Sequence, residues 1–332
     1  MPSIRSGVSA LQKETNSTPQ AEDGDLAFVE QNRCTNGALR RATRRLSQLY
    51  DGLLAPSGLR NTQRAILVTI ARYGSATLSQ LAESLVLDRS ALGISIRPLE
   101  REGFVVVGID PSDRRNRIAK LTPAGEHIIE NTAQLWTVAQ ARFENKFGAN
   151  RAKELRKTLA FIAAQDYDGA AAVRQLEAGD PLLEFNRCNN TALRKATRRV
   201  SQLYDSVLAP TGLRSTQRSL LRSIARSESQ TMGQLATSLV LDRSALGHNL
   251  RPLEREGLIV LEIDPTDKRS RLAKITKKGE GKLRETAVLW QVAQQRFENK
   301  YGAANAQSLR EVLAAIAAEE FDSELKADAH SI

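Results

Sequence analysis

Apolar residues recur with helical spacing along much of the chain, and short β-branched runs interrupt this pattern. Between about Leu26 and Leu54, Ala38, Ala42 and Leu46 belong to a series repeating every three or four positions, which predicts a long helix. A second helix with one buried face is predicted from Thr62 to Tyr73. Pro and Gly between the two segments separate them.

Capping residues mark the next two helices. Thr77 with Gln80 three positions later fits a capping box, which predicts a short helix through Leu85. Asp88 starts a fourth helix that runs to about Glu102 and ends at a glycine. Two short helices of this kind are typical of a helix-turn-helix.

A β-hairpin is predicted directly afterwards. Phe104 to Ile109 is apolar and β-branched and predicts a strand, Asp110 to Asn116 a turn, and Arg117 to Leu121 the returning strand. Thr122 fits an N-cap and Pro123 a first helical position, so a fifth helix begins here.

The fifth helix is predicted to continue past Trp136 to about Lys146, and Gly148 separates it from a last helix between Asn150 and Gln165. The order is four helices, a hairpin and two more helices. This pattern predicts a mainly α fold with a small β-hairpin wing, a winged helix-turn-helix flanked by long helices suited to oligomerisation.

The second half of the chain repeats the first. Cys34 aligns with Cys188, and an offset of 154 residues holds without a gap to Gly148 and Gly302, with about 74 of 115 aligned positions identical. Such a period is the length of a whole domain and too long for a solenoid unit. We therefore predict two winged-helix repeats in tandem.

Composition divides the chain into five segments. Residues 1–25 are polar without an apolar period and are predicted to form a disordered tail. The repeats are expected at 26–167 and 182–322, joined by a linker at 168–181. Residues 323–332 are predicted to form a second tail.

Overall composition narrows the class of protein. The chain has 332 residues, 41% of them hydrophobic and 26% charged, and a formal net charge of +10. No apolar run approaches the roughly 20 residues that cross a bilayer, and the N-terminal residues lack the apolar region of a secretory signal. With two cysteines, a reducing cytoplasm is expected. The positive charge permits a polyanionic partner such as a nucleic acid. The placement of the charges along the chain decides whether that partner is expected.

Basic residues cluster at the two predicted hairpin tips. They are Arg114, Arg115 and Arg117 in the first repeat and Lys268, Arg269 and Arg271 in the second. Such side chains can enter the minor groove of DNA, where the potential is most negative. Asp113 can hold one arginine in a fork-like ion pair and aim its neighbour. A solvated turn is the alternative, but beside a capped helix pair we favour DNA binding.

The fourth helix of each repeat would enter the major groove. Its exposed candidates are Arg89, Ser90, Ile94, Ser95 and Arg97, and in the second repeat Arg243, Ser244, His248, Asn249 and Arg251. Leu92 and Leu99, like their equivalents Leu246 and Leu253, should pack inward. An asparagine can read adenine whereas an isoleucine can only contact a thymine methyl, so the two operator halves need not match. Neutral drift at solvated positions is the alternative.

Three segments carry a family resemblance. They are Leu87–Gly103, Asp110–Arg115 and Leu121–Gly125, matched in the second repeat by Leu241–Gly257, Asp264–Arg269 and Ile275–Gly279. These segments resemble the MarR family of bacterial transcription regulators. The resemblance covers about 130 residues twice, and it implies double-stranded DNA with a pseudo-palindromic operator as the partner.

The resemblance also implies a homodimer built from the first, fifth and sixth helices, with a pocket between these helices and the winged domain that often holds an aromatic or phenolic acid. Trp136 and Trp290 are candidates to line it, with packing between helices as the alternative. Four arginines of the first helices can pair with a ligand carboxylate or can simply coat a helix. They are Arg44, Arg45, Arg198 and Arg199.

The fusion of two repeats has a simple physical interpretation. A linker of roughly 15 residues can span about 50 Å, enough to join the end of one subunit to the start of its partner. We therefore predict a single-chain pseudo-dimer, with its fourth helices about one DNA turn apart. Whether this chain dimerises again is left open.

Cys34 and Cys188 occupy matching sites. Some peroxide-sensing members of the family use a cysteine in a similar region, so a thiol switch is one interpretation and a small buried thiol the other. The histidines, His127, His248 and His330, fit no metal motif, and no phosphate loop or nucleophile motif occurs. We predict neither an enzyme nor a bound cofactor or metal.

The leading prediction is a ligand-responsive, sequence-specific DNA-binding regulator, a repressor released by a small aromatic or phenolic acid. The alternatives are a thiol-based redox-sensing regulator that uses Cys34 and Cys188, an effector-independent architectural DNA-binding protein, and a protein-interaction module on the same scaffold. Steep weakening of binding by salt would separate the DNA-binding functions from the last.

Overall fold

The computed structural model describes residues 33–168, 187–226, 230–318 and 321. The predicted tails, nearly all of the predicted linker and the first residues of the predicted first helix lie outside the described residues. The elements of the first repeat are α1 (Thr35–Leu54), α2 (Asn61–Tyr73), β1 (Ala76–Thr77), α3 (Leu78–Ser84), α4 (Arg89–Arg101), β2 (Val105–Ile109), β3 (Arg117–Leu121), α5 (Pro123–Asn131), α6 (Ala133–Phe147) and α7 (Ala149–Ala164).

The second repeat follows the same order. Its elements are α8 (Asn189–Leu208), α9 (Ser215–Ala225), β4 (Gln230–Thr231), α10 (Met232–Leu239), α11 (Arg243–Arg255), β5 (Ile259–Ile263), β6 (Arg271–Ile275), α12 (Lys277–Tyr301) and α13 (Ala303–Ala317). The mainly α fold with two winged helix-turn-helix domains is confirmed. A short 3-10 turn, Ala55–Ser57 or Ala209–Thr211, ends each long first helix.

The predicted caps have the expected geometry. The Thr77 hydroxyl accepts the backbone N–H of Gln80 at 3.1 Å, and the Gln80 side chain accepts the N–H of Thr77 at 2.8 Å, so the capping box is complete. Asp88 accepts the N–H of Ala91 at 2.7 Å, and Thr122 accepts that of Gly125 at 3.0 Å. Each cap satisfies a helix N–H that lacks a partner within its own helix.

Each wing sheet has one strand more than the predicted two-stranded hairpin. In each repeat a two-residue strand, β1 or β4, pairs antiparallel with the returning strand and makes a three-stranded sheet, β1-β3-β2 or β4-β6-β5. In the first repeat Ala76 faces Ala119 and Thr77 faces Ile118. This pairing fixes the start of α3 to the wing, so each lobe is one rigid unit.

The predicted continuous fifth helix is correct for the second repeat and wrong for the first. α12 runs unbroken through Thr286, whereas the first repeat breaks at Thr132 into α5 and α6. The Thr132 hydroxyl lies 2.7 Å from the carbonyl of Ile128 and 3.0 Å from that of Ile129. Thr286 also bonds back to its own helix, to the carbonyl of Leu283 at 2.8 Å, and α12 stays unbroken, so this contact alone does not produce the break.

The long helices of the two repeats interlace. α7, the last helix of the first repeat, packs on α8, and α13, the last helix of the second, packs on α1. α1 and α8 also pack on each other, so side chains from both repeats share one apolar core that includes Leu46, Tyr50, Phe143, Tyr204 and Phe297. Each winged lobe has a smaller core of its own. The arrangement is the predicted single-chain pseudo-dimer.

A pseudo-two-fold axis passes between two equivalent threonines. The hydroxyls of Thr43 and Thr197, which are 154 residues apart, lie 2.6 Å from each other. On either side of them, Ser47 donates to the Asn190 side chain at 3.1 Å, and Ser201 donates to the Asn36 side chain at 2.9 Å. Because the contacts come in symmetric pairs, the two repeats are held in one register.

A buried polar network reinforces that register on each side. Tyr50 of α1 donates to Gln140 of α6, which donates to the side chain of Asn189 at 2.7 Å. Glu144 accepts Arg156 at 2.8 Å beside them. In the second repeat, equivalent side chains join the end of that repeat to the start of the first, and they are Tyr204, Gln294, Glu298, Arg310 and Thr35. Buried polar groups of this kind select one arrangement only when all are paired.

Candidate nucleic-acid surface and interlobe cavity

The helices predicted to read DNA present one polar side to solvent. In α4, Leu92, Ile96 and Leu99 are buried, and α11 buries the matching leucines, including Leu246 and Leu253. The side chains left exposed are Arg89, Ser90, Ile94, Arg97, Arg243, Ser244, His248 and Arg251. Ile94 is 70% exposed, an unusual position for an isoleucine. Its exposure gives the first repeat an apolar contact point where the second has an imidazole.

Two of the predicted reading residues are not exposed as expected. Ser95 is half-buried and donates to the carbonyl of Ala91 at 2.8 Å. Asn249 is also half-buried, and its amide donates to the carbonyl of Ala245 at 2.6 Å. Both side chains line clefts toward the first helices, Ser95 with Arg198 and Asn249 with Arg44. Each side chain donates one hydrogen bond to its own helix, because short polar side chains bond back to the turn before them.

The first wing tip holds its arginines as the sequence predicted. Arg115 donates to both carboxylate oxygens of Asp113, at 3.0 and 3.1 Å, in a fork. This hydrogen bond lowers the pKa of Asp113 and raises that of Arg115. The Arg115 side chain stays 90% exposed, and Arg114 and Arg117 are exposed beside it. The tip therefore presents positive charge on a fixed base.

A second carboxylate stabilises each wing turn from within. Asp110 accepts both the backbone N–H and the hydroxyl of Ser112, at 2.9 and 2.6 Å, and Asp264 does the same with Thr266. These hydrogen bonds lower the pKa of both aspartates, led by the hydroxyl. The turns stay charged and ordered at neutral pH.

The second wing is built differently at its tip. Lys268, Arg269 and Arg271 are all exposed. Asp267 accepts only the backbone N–H of Arg269, at 3.0 Å, and no fork joins their side chains in the part of the chain that the structure describes. The second tip therefore lacks, among the described residues, the side-chain ion pair that holds Arg115 in the first.

A cavity of about 290 Å³ lies between the first lobe and the start of α8. Residues from both repeats line it, and they are Asn61, Arg64, Ala65, Val68, Thr69, Arg72, Tyr73, Ser84, Leu85, Ile129, Trp136, Arg187, Cys188, Thr191 and Lys195. Four of these are cationic and none is acidic. The cavity combines an apolar wall with excess positive charge, which suits an organic anion of small size.

Each of the two predicted tryptophans has an arginine side chain packed over its ring. Arg64 of α2 lies over the ring of Trp136 at 5.3 Å, and Arg218 of α9 lies over Trp290 at 5.4 Å. Arg64 also donates to the Thr132 hydroxyl at 3.1 Å. Trp136 lines the cavity, whereas Trp290 is buried and donates to the sulfur of Cys34 at 3.4 Å.

The four arginines predicted to meet a ligand carboxylate do not line the cavity of Trp136. Arg198 donates to the carbonyl of Leu85, and Arg199 donates to that of Ala163 at 3.1 Å. Arg44 lines a smaller cleft with Asn249, and burial together with Arg40 and Arg41 lowers its pKa. Arg45 also lies outside the lining. Arg198 thus joins α8 to the first lobe, and Arg199 joins α8 to α7 within the helical core.

The cationic lining residues Arg64, Arg72 and Lys195 escaped sequence reasoning. Arg64 stands three positions before the buried Leu67, on the apolar face of α2, and that placement was the available signal. Lys195 has no such signal, because α8 meets α2 only after the repeats interlace.

Burial, followed by the nearby Arg72 and Arg198, lowers the pKa of Lys195 to about 8. Between that value and the ordinary value near 10.5, the unfolded chain binds a proton that the folded chain lacks, so stability rises with pH across this window. We expect K195M to be more stable than the wild type by about 1–3 kcal/mol at neutral pH. Its free energy of unfolding should also rise less steeply with pH across this window than that of the wild type. Urea unfolding at several pH values measures both effects. K153M, at an exposed lysine of α7, is the control, and an equal pH slope in K195M and the wild type would contradict the assignment.

Both predicted redox cysteines stand at the N-cap position of a first helix, but only the side chain of Cys34 makes a capping hydrogen bond. Cys34 accepts the N–H of Gly37 at 3.4 Å at the start of α1. Cys188 precedes α8 and lines the cavity beside Arg187 and Arg64. Both are free thiols. They are therefore equivalent in sequence and different in surroundings.

Within the described ranges, no three His, Cys, Asp or Glu side chains come together as a metal site requires. None of the helices described there is long and apolar enough for a membrane span.

A family model described as the MarR family matches residues 59–116 and 213–270. The uncharacterized HTH-type transcriptional regulator YwhA of Bacillus subtilis is 31% identical over 117 residues, which are 34% of this chain and 79% of YwhA. The transcriptional activatory protein BadR of Rhodopseudomonas palustris is 36% identical over 80 residues, which are 23% of this chain and 46% of BadR. Among solved structures, the M. tuberculosis transcriptional regulator MosR in complex with DNA is 33% identical, with a TM-score of 0.33, over 35% of this chain and 84% of MosR.

The two family matches fall at corresponding positions of the two repeats, and YwhA is matched over most of its length. The helix order, the capped helix pair and the wing occur in both repeats. The chain therefore belongs to the MarR family of transcriptional regulators, as a tandem of two family domains, and not to a family of enzymes.

Proposed function

We propose that this chain is a sequence-specific regulator that binds double-stranded DNA with both lobes at once and represses transcription until a small aromatic or phenolic acid releases it. One observation carries the proposal. Each lobe exposes an N-capped helix with outward arginines and a wing with three basic side chains, and a pseudo-two-fold axis relates the lobes. Dimeric helix-turn-helix proteins use a two-fold pair of such lobes to bind two half-sites on one duplex.

The contacts we propose divide into two kinds. The wing residues, Arg114, Arg115, Arg117, Lys268, Arg269 and Arg271, neutralise phosphates or enter the minor groove. The helix residues, Arg89, Ser90, Ile94 and Arg97 with Arg243, Ser244, His248 and Arg251, face the bases. Because Ile94 and His248 are equivalent positions with different chemistry, the operator has two unlike halves. Ser95 and Asn249 are left out of the set, since their side chains bond their own helices.

The effector would bind in the cavity beside Trp136. A flat aromatic ring fits against Trp136 and Val68, and a carboxylate fits the cationic side chains, among them Arg64 and Lys195. The cavity joins α2 of the first lobe to α8 of the helical core, so a ligand there changes how the lobe sits on that core. Release from DNA follows only if the ligand binds the non-DNA conformation more tightly.

A genomic footprint in cells, repeated with a panel of hydroxybenzoates and accompanied by transcript levels, tests the function. We expect discrete sites with unlike halves, occupied by single chains in sedimentation of the purified complex, and loss of occupancy with at least one acid. Rising transcripts on release would support repression, and falling transcripts would indicate activation, the role that the name of BadR states for that protein. Occupancy without sequence preference would instead identify an architectural binder. Since regulation of transcription acts on chromosomal DNA, we place the protein in the cytoplasm of a bacterium.

A thiol sensor is the second candidate, favoured by the position of Cys188. Cys188 lines the cationic cavity together with Arg64 and Arg187, so an acid formed by its oxidation would lie beside positive charge. The same footprint repeated after mild peroxide separates the two mechanisms. Release by peroxide that is lost in C188S would establish the thiol sensor, and unchanged occupancy would remove it.

A further inference from the structure

The effector cavity of the first repeat has a counterpart beside α9, and the two differ first at a central position. Val68 of α2 is half-buried and lines the cavity. The equivalent residue, 154 positions later, is Arg222, which is only 4% exposed. The two helices hold the same register, since Arg64 and Arg218 both donate to a threonine at 3.1 Å and both cover a tryptophan. The long side chain of Arg222 is therefore buried on the side of its helix that carries Val68 in the first repeat.

A second difference concerns the free hydrogen-bonding capacity. Asn61, at the start of α2, is 3% exposed and lines the cavity, and its side-chain Nδ2 has no hydrogen-bond partner among the described residues. A buried donor of this kind costs free energy unless a ligand or water accepts it. The equivalent residue is Ser215, whose hydroxyl accepts Arg40 at 3.4 Å. At this pair of positions, Asn61 leaves a donor for a ligand, whereas the Ser215 hydroxyl accepts a hydrogen bond from within the structure.

Charge also distinguishes the cavity beside α2, the first compartment, from its counterpart beside α9, the second compartment. Beside α9, Arg218, Arg222 and Arg226 follow one another at helical spacing. Arg41 stands where the first compartment has Lys195, and Arg226 is near enough to lower its pKa further after burial has done so. The second compartment thus already contains a buried guanidinium where the first contains an apolar wall.

We propose that one chain binds one aromatic anion, in the compartment of Val68 and Asn61, and that Arg222 occupies the counterpart and excludes a second ligand. This inference rests on the proposed function for the identity of the ligand. Val68 and Arg222 are then the residues that decide which lobe senses the effector. Binding is independent of any second site, so it shows no cooperativity within the chain.

Thiol labelling tests the asymmetry without knowledge of the effector. Dithiobis(nitrobenzoate) is a disulfide with two aromatic carboxylates, and each thiolate that attacks it forms a mixed disulfide and releases one thionitrobenzoate. Cys188 lines the open compartment, and Cys34 is its equivalent beside Trp290. We expect one fast reaction per wild-type chain, absent in C188S, and one slow reaction, absent in C34S.

Reciprocal substitutions sharpen the test. V68R should slow the Cys188 reaction by about tenfold or more, because the new side chain fills the compartment. R222V should add a fast reaction at Cys34 while its urea midpoint stays at or above that of the wild type, which separates the gain from misfolding. Equal rates at the two thiols of the wild type, or no gain in R222V, would overturn the proposal.

Equilibrium dialysis with a hydroxybenzoate completes the experiment. We expect one ligand per wild-type chain, none in V68R and two in R222V, and protection of Cys188 by the ligand. Asymmetric labelling without hydroxybenzoate binding would reject the effector class of the proposed function and leave the asymmetry standing. Two ligands per wild-type chain would keep the proposed function and reject the asymmetry.

Discussion

Replacing Arg115 and Arg269 together with alanine should weaken operator binding by about a hundredfold, since each such arginine contributes roughly 1–3 kcal/mol. Both side chains are exposed at wing tips and neither contributes to a core. The slope of log affinity against log salt should become less steep by about two. The variant lacks two phosphate contacts and therefore releases fewer counterions on binding than the wild type does. Fluorescence anisotropy on an operator duplex at several salt concentrations measures both quantities.

The two single variants should differ. Arg115 neutralises Asp113 in a fork, and R115A leaves that carboxylate unpaired near the phosphates. Arg269 has no such side-chain partner among the described residues, so R269A removes only its own contact. We expect R115A to be the more damaging substitution. R115A/D113N should recover part of the loss.

A charge-matched control distinguishes wing contact from general attraction. Lys153 and Lys157 are exposed on α7, in the helical core, and K153A/K157A removes the same charge. Its affinity should stay close to that of the wild type. Equal losses in the two double variants would contradict the wing assignment, as would a lower urea midpoint for R115A/R269A.

Gly125→Ala should destabilise the first lobe by about 3 kcal/mol or more, because a rigid backbone atom blocks the new methyl group. A Cβ at Gly125 would lie 2.1 Å from the carbonyl oxygen of Phe104. That oxygen is fixed, since it accepts the N–H of Thr122 at 3.1 Å, and Thr122 also caps α5. Gly279 meets the carbonyl of Leu258 at the same 2.1 Å, so the Thr-x-x-Gly elements of both repeats have one steric cause.

Gly52→Ala provides the control. Gly52 is exposed within α1, and no atom of a neighbouring residue lies within 4 Å of the position that a Cβ would take there. Alanine at this position should stabilise the protein by about 0.5–1 kcal/mol, the usual gain in a helix interior. Urea unfolding followed by circular dichroism compares the two variants. A midpoint for G125A equal to that of the wild type would show that the helix and the strand do not approach as described.

Local sequence signals predicted most of the secondary structure, because caps and glycines act within a few residues. Asp88, Thr77 and Thr122 fixed the starts of α4, α3 and α5 by hydrogen bonds that depend on neighbours alone. The two-residue strand Ala76–Thr77 escaped prediction, since it is too short to show alternation and exists through pairing with β3. The break at Thr132 also escaped, because the equivalent Thr286 lies in an unbroken helix.

The candidate site was harder to predict than the fold. Trp136 was identified as a cavity residue, but its partners on the opposite wall, Thr191 and Lys195, come from the other repeat. Ser95 and Asn249 were predicted to be exposed, yet both are half-buried and bond to their own helices, and helical periodicity alone does not settle the direction of a borderline position. Long-range packing decides such details.

The helix exchange between repeats has a consequence for dosage. A regulator assembled from two separate subunits comes apart on dilution, so its occupancy of a promoter falls faster than its concentration. Here α7 and α13 cross between repeats of a single polypeptide, and formation of the shared core is a unimolecular event. No dilution separates the two repeats, so under the proposed function promoter occupancy at low copy number should rise in proportion to copy number and not to its square.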